Sequence, residues 1–102
     1  MMNWYPKMYT GKRLEGETEK LIREIEDGQY RPDLFLITLA VNEKDLLDIR
    51  RARSLYREGL KDYLPLIVGI AKGRREALKI VEEIIADCLR ETGDVNVRSF
   101  LS

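Results

Sequence analysis

Two short runs of almost uninterrupted apolar residues place the strongest constraint on the fold of this 102-residue chain. They cover residues 34–41 and 64–71. In each run, side chains that would point to either side of a strand are apolar, which is typical of a strand buried on both faces of a sheet. Such strands occur mostly in parallel sheets with helices on each side. The two runs therefore predict two strands inside an α/β domain.

The segments that follow these runs carry helix patterns. Residues 43–58 are predicted to form a helix, because Asn42 suits the N-cap and Gly59 suits the position after the last turn. Residues 74–92 are predicted to form an amphipathic helix that ends at Gly93. Its apolar residues have the spacing of one helix face: Ala77, Val81, Ile84, Ile85 and Cys88.

Two weaker patterns complete the order of elements. Residues 12–27 carry a helix pattern, and the alternation of residues 95–101 predicts a strand with one buried face. The resulting order α-β-α-β-α-β predicts a three-stranded parallel sheet in a small three-layer α-β-α sandwich. Pro65 cannot donate to a ladder and therefore suits an edge, which favours strand order 2-1-3 over order 1-2-3.

This predicted topology is similar to half of a flavodoxin-like or Rossmann-like domain. The likeness is one of architecture and implies no function. We expect residues 1–102 to form a single α/β domain, because the length is that of one ordinary domain. Residues 1–11 stand apart within it as an aromatic N-terminal segment.

Charge and composition exclude several classes of function. The 18 basic and 18 acidic residues cancel, which argues against a protein that coats nucleic acid. The chain has no histidine and one cysteine, so the sequence predicts no histidine-based catalysis, no metal site and no cofactor. A chain with a lone cysteine, no signal-peptide pattern and no apolar run of about 20 residues is expected to be cytoplasmic and not to enter a membrane.

One short segment suggests an anion site. Lys72, Gly73, Arg74 and Arg75 follow the second predicted strand, where a helix begins and its backbone N–H groups are free. Asn42 follows the first predicted strand, and the carboxyl ends of parallel strands share one edge of a sheet. These five residues are therefore predicted to bind a small anion. The alternative is a solvated turn in which the two arginines pair with nearby carboxylates.

A second basic segment is weaker as a predictor. Residues 10–13 read Thr-Gly-Lys-Arg and resemble half of a phosphate loop, but the spacing of that motif is missing and no apolar strand precedes them. We therefore assign them no role.

Arg50, Arg53 and Arg57 would share one face of the helix predicted over residues 43–58, which is a candidate surface for an acidic partner.

The aromatic segment suggests an interface. Trp4, Tyr5, Met8 and Tyr9 are residue types that are common in interface cores, and a three-stranded sheet leaves two edges to cover. The alternative is that they pack within their own chain.

The favoured function is a non-catalytic interaction or oligomerisation module with a protein partner or a second copy of the chain. The alternative function is a binder of a small anion or a nucleotide phosphate at the carboxyl edge of the strands, and no pattern identifies an enzyme.

Overall fold

The computed structural model describes residues 2–29, 31–42, 44–55 and 64–101. The described elements are three helices, a short 3-10 helix and four strands. In chain order they are β1 (Trp4–Thr10), the 3-10 helix (Lys12–Leu14), α1 (Thr18–Glu26), β2 (Leu34–Leu39), β3 (Leu47–Arg51), β4 (Ile67–Lys72), α2 (Arg74–Thr92) and α3 (Val97–Leu101).

The four strands form one mixed sheet in the order β1-β4-β2-β3. β1 is parallel to β4, whereas β2 is antiparallel to both β4 and β3. The prediction of a three-stranded parallel sheet in the order α-β-α-β-α-β, with strand order 2-1-3, is therefore wrong. The two apolar runs do form the two inner strands, but these strands run in opposite directions. Burial on both faces makes a strand apolar throughout and says nothing about the direction of its neighbour.

The helix predicted over residues 43–58 is wrong over Leu47–Arg51, which is strand β3, although residues 54 and 55 are helical. Its side chains alternate, with Leu47 and Ile49 packing in the core beneath α2. The charged residues Asp48 and Arg50 alternate with them, and a strand with so few apolar residues was interpreted as part of a polar helix. The last part of the predicted helix, residues 56–58, lies outside the described residues.

The strand predicted over residues 95–101 is also wrong, because Val97–Leu101 forms the short helix α3. Val97 and Leu101 are buried and lie four residues apart, which is one helix face. The Asn96 side chain accepts a hydrogen bond from the Ser99 backbone N–H at 3.3 Å, as an N-cap residue does. Over so short a segment, alternation and one helical turn are hard to tell apart.

Helices lie on both faces of the sheet and enclose two cores. On one face, α1 packs against β2 and β4, with its buried residues Leu21 and Ile25 contributing to a core that also contains Leu34 and Leu36. On the other face, α2 packs against alternate residues of the same strands. The buried residues of this second core are Phe35, Ile37, Val68, Ala71, Ala77, Ile80, Ile84, Cys88, Val97 and Leu101.

An irregularity in β4 allows α2 to approach the sheet. Val68 belongs to the core beneath α2, and Gly69 faces the same helix, because a Cβ built on Gly69 would lie 3.0 Å from Ile80 Cγ2 and 3.3 Å from Ile37 Cδ1. Two successive residues on one side of a strand are the mark of a β-bulge, and both neighbouring strands shift register here. Glycine at 69 therefore leaves room for close contact between helix and sheet.

We expect Ile84→Ala to lower the free energy of unfolding by about 2–5 kcal/mol, because it leaves a cavity between α2 and the sheet. Ile84 is fully buried, whereas Leu89 on the same helix is 46% exposed. Leu89→Ala is therefore the control, with an expected change within about 0.5 kcal/mol. Urea unfolding followed by circular dichroism measures both. Equal losses in the two variants would contradict the packing described for α2.

Candidate functional site: a basic cleft at one sheet edge

The carboxyl ends of β1 and β4 lie side by side, because these strands are parallel. Beyond β1 the chain turns at Gly11, whose N–H donates to the Ile70 carbonyl at 2.9 Å. Beyond β4 it turns at Gly73, whose φ of 86° favours glycine, and α2 begins at the next residue. The Gly73 N–H donates to the Asp33 carbonyl at 2.8 Å. Hydrogen bonds that continue the ladder thus hold both turns at the end of the sheet where β1 and β4 finish.

A cleft of about 500 Å³ opens between these two turns and the first turns of α2. We call it the basic cleft, and cationic side chains outnumber carboxylates in its lining by six to two. The lining residues are Thr10, Gly11, Lys12, Arg13, Lys72, Gly73, Arg74, Arg75, Glu76, Lys79, Ile80 and Glu83. Positive charge is therefore concentrated at one place on a chain whose net charge is zero.

The cations of the cleft have few carboxylate partners. Lys72 Nζ lies 3.8 Å from Asp33 Oδ2, and both side chains are about half exposed. Within the described ranges, Arg74 and Arg75 form no ion pair, and neither do Lys12, Arg13 and Lys79. The alternative interpretation of this segment required the two arginines to pair with nearby carboxylates, and that pairing is not seen among these residues.

One carboxylate, that of Glu76, lies between the two turns. Its Oε1 accepts a hydrogen bond from the Lys72 N–H at 2.9 Å. The same carboxylate is so close to Gly11 that a Cβ at that position would collide with it. Glu76 stands in the first turn of α2, whose N-cap is a glycine and contributes no side-chain hydrogen bond. A carboxylate in this position complements the helix dipole and is itself an anion held in the basic cleft.

Four of the five residues predicted to bind an anion come together here: Lys72, Gly73, Arg74 and Arg75 all line the cleft. Asn42 does not line the cleft. Because β2 is antiparallel to β4, the carboxyl end of β2 lies at the opposite end of the strands. There, the Asn42 side chain accepts a hydrogen bond from the Lys44 N–H at 2.9 Å. The prediction that Asn42 shares this site assumed a parallel sheet, so it is wrong for the same reason as the predicted topology.

Sequence reasoning missed the contribution of residues 10–13, which supply Lys12 and Arg13 to the cleft. They were set aside because no apolar strand precedes them, yet Trp4–Thr10 is strand β1. β1 lies at a sheet edge, and the exposed residues Pro6 and Lys7 interrupt its aromatic residues, so it has no continuous apolar run. The sequence signal that could have identified this turn is Gly-Lys-Arg at residues 11–13, directly after the aromatic segment.

The predicted interface residues all lie in β1 and are half-buried. Trp4 and Met8 pack against the core beneath α1, whereas Tyr5 and Tyr9 pack against the core beneath α2. The Tyr9 hydroxyl donates a hydrogen bond to Asp87 Oδ2 at 2.8 Å, which joins β1 to α2. Each side chain thus has contacts within its own chain, and an intermolecular role for them stays a prediction.

The predicted arginine face has a different arrangement. Arg50 lies in β3 and pairs with Asp48, with 3.2 Å between Nη2 and Oδ2. Arg53 lies beyond the end of that strand and is exposed. Arg57 is outside the described residues. Because residues 47–51 are a strand, the proposed shared helix face for these arginines is wrong.

No protein-family model, no curated protein and no solved structure matches this chain. Its fold and cleft are those of a small mixed α/β domain with a basic cleft beside the first turn of a helix. In the part of the chain that the structure describes, His, Cys, Asp and Glu side chains form no group of three or more suited to a metal ion. None of the helices described here has both the length and the apolar character to cross a bilayer.

The contact between Tyr9 and Asp87 predicts a dependence of stability on alkaline pH. Burial and the hydrogen bond to Asp87 raise the pKa of Tyr9 above its ordinary value. The unfolded chain loses this proton from about pH 10, whereas the folded chain retains it, so the free energy of unfolding falls as pH rises above about 10. Urea unfolding at about pH 9 and about pH 11 should show a smaller fall for Tyr9→Phe than for the native chain. Identical slopes would show that Tyr9 titrates alike in both states.

Proposed function

We propose that this protein binds a small phosphate-bearing ligand in the basic cleft. The observation that supports this proposal is the convergence of two separate basic turns, residues 10–13 and 72–75, on one cavity. Local sequence alone does not require two distant segments to bring their cations to one place. The proposed activity is binding, and no chemical step is assigned to the cleft.

Electrostatics favours an anion at this position. Cations at the start of a helix oppose its dipole by up to about 1 kcal/mol each, and neighbouring cations repel one another. An anion in the cleft relieves both effects and accepts hydrogen bonds from the helix N–H groups. A phosphate monoester has nearly two negative charges and several acceptor oxygens, so several cations of the lining can contact it at once. The cleft volume lies in the range of small-molecule sites.

The other functions suggested by the sequence stay predictions. An interaction module that uses the aromatic residues of β1 must compete with the packing of those residues within their own chain. A cytoplasmic location is still an expectation from composition. We favour ligand binding, because the cations of the cleft are largely unpaired among the described residues, whereas the aromatic side chains already pack against the two cores.

Thermal unfolding with and without added ligand tests the proposal, with inorganic phosphate and pyrophosphate as probes. A ligand at about 100 times its Kd should stabilise the native chain by about 2.7 kcal/mol. We expect Arg75→Glu to abolish this stabilisation. Lys44→Glu is the matched control, because it makes the same charge change at an exposed residue near the end of the strands away from the cleft. It should leave binding unchanged. No stabilisation of the native chain, or equal effects of the two variants, would contradict the proposal.

Glu76→Gln should tighten the binding of phosphate. The amide retains an oxygen that can accept the Lys72 N–H, but the charge that competes with the ligand is gone. Repulsion between like charges about 4 Å apart is about 1 kcal/mol in water, which corresponds to an affinity gain of about fivefold. Isothermal titration calorimetry measures the change. Glu91→Gln, at the exposed far end of the same helix, is the control. Unchanged or weaker binding in Glu76→Gln would exclude this role for the carboxylate.

A further inference from the structure

The two edges of the sheet differ in their capacity to pair with another strand. At one edge, β1 contains Pro6, which has no N–H to donate, and its register with β4 is broken between Trp4 and Tyr9. Both features protect an edge from further pairing. At the other edge, β3 has neither proline nor glycine and keeps an unbroken register with β2. Its outer side pairs with none of the strands in the described part of the chain.

The hydrogen bonds of β3 show which backbone groups point outward. The Ala52 N–H donates to the Leu34 carbonyl at 2.9 Å, so the even-numbered residues of this strand pair toward β2. Backbone groups alternate sides along an antiparallel strand. The N–H and C=O groups of Leu47, Ile49 and Arg51 therefore point away from the sheet.

We propose that two copies of this chain pair through their β3 edges, antiparallel, about a two-fold axis at Ile49. In this register Ile49 faces Ile49 of the second copy, and Leu47 faces its Arg51. All of these residues have outward backbone groups, so each pair can form ladder hydrogen bonds. The two four-stranded sheets then continue as one. A two-fold interface uses the same surface of both subunits, as this one does.

Charge complementarity selects that register. With Ile49 on the axis, Asp48 of each copy lies opposite Arg50 of the other, in the class of pair whose side chains lie closest. If the axis moves by one residue to Asp48, two aspartates oppose each other. If it moves to Arg50, two arginines do. Among these neighbouring registers, only the one centred on Ile49 places opposite charges together.

The side chains of β3 can accommodate this arrangement. Arg50 is bonded to Asp48 through Nη2, but its Nε has no partner within the described residues. A guanidinium has five donors, so it can contact a second carboxylate as well. On the opposite face of the sheet, Leu47 and Ile49 are only half-buried at the margin of the core beneath α2. Pairing would bring the two Ile49 side chains together and extend that core across the axis.

A charge-exchange experiment tests the proposal by sedimentation velocity. The native chain is expected to sediment as a dimer, at twice the mass of one 11.9 kDa chain. Asp48→Arg places arginine opposite arginine, and Arg50→Asp places aspartate opposite aspartate, so each variant alone should be monomeric. An equimolar mixture should form a heterodimer, because opposite charges again face each other across the axis. Neither variant retains the pair within its own chain, so recovery in the mixture reports contact between copies.

Each other result overturns the proposal. A native chain that stays monomeric at every concentration, or single variants that remain dimeric, would exclude this edge as the interface. So would two folded variants that do not associate when mixed. Circular dichroism shows whether each variant is folded.

Amide hydrogen exchange of the native chain tests the edge without any substitution. The N–H groups of Leu47, Ile49 and Arg51 point away from β2, so they should exchange quickly when the protein is dilute and slowly when it is concentrated. The Arg50 N–H points toward β2 and is the internal control. Fast exchange of the three outward amides at all concentrations would overturn the proposal, and none of these measurements depends on the basic cleft.

Discussion

The antiparallel pairing of β2 with β4 is the interaction on which the rest of this structure depends. Leu34 lies opposite Lys72, and Leu36 lies opposite Ile70. Because both strands are apolar on both faces, their pairing creates two surfaces that must be covered, and α1 and α2 cover one each. Burial of apolar surface is the dominant favourable contribution to the free energy of folding. The remaining strands, β1 and β3, then complete the two sides of an already buried pair.

This pairing also fixes the position of the basic cleft. The bond from the Gly73 N–H to the Asp33 carbonyl continues the ladder between β2 and β4 to the residue before α2. The bond from the Gly11 N–H to the Ile70 carbonyl does the same for β1 and β4. The two basic turns are thus held by backbone hydrogen bonds at a sheet edge. Sites carried on such rigid elements keep their geometry better than sites on free loops.

The sequence predicts the features that depend on local pattern. The inner strands followed from apolar runs, α2 followed from helical spacing, and the basic turn at residues 72–75 followed from its composition. Strand direction could not be predicted, because an inner strand of either kind is apolar on both faces. The edge strands were missed for a related reason: an edge strand is only partly buried, so charged residues interrupt its pattern. The joint cleft was missed because it depends on pairing between segments some sixty residues apart.

The Glu76 carboxylate has a consequence for selectivity. Since it lies between the two basic turns, this carboxylate already neutralises part of the positive charge of the cleft. A phosphate ligand of the kind proposed would have to exchange with a carboxylate that is covalently tethered and therefore always present at high local concentration. Chloride or a simple carboxylate brings no more charge than the group it would displace, whereas a phosphate dianion brings more. Under the proposed function, a tethered competitor of this kind sets a threshold of charge, which favours a phosphate dianion over chloride or a monocarboxylate.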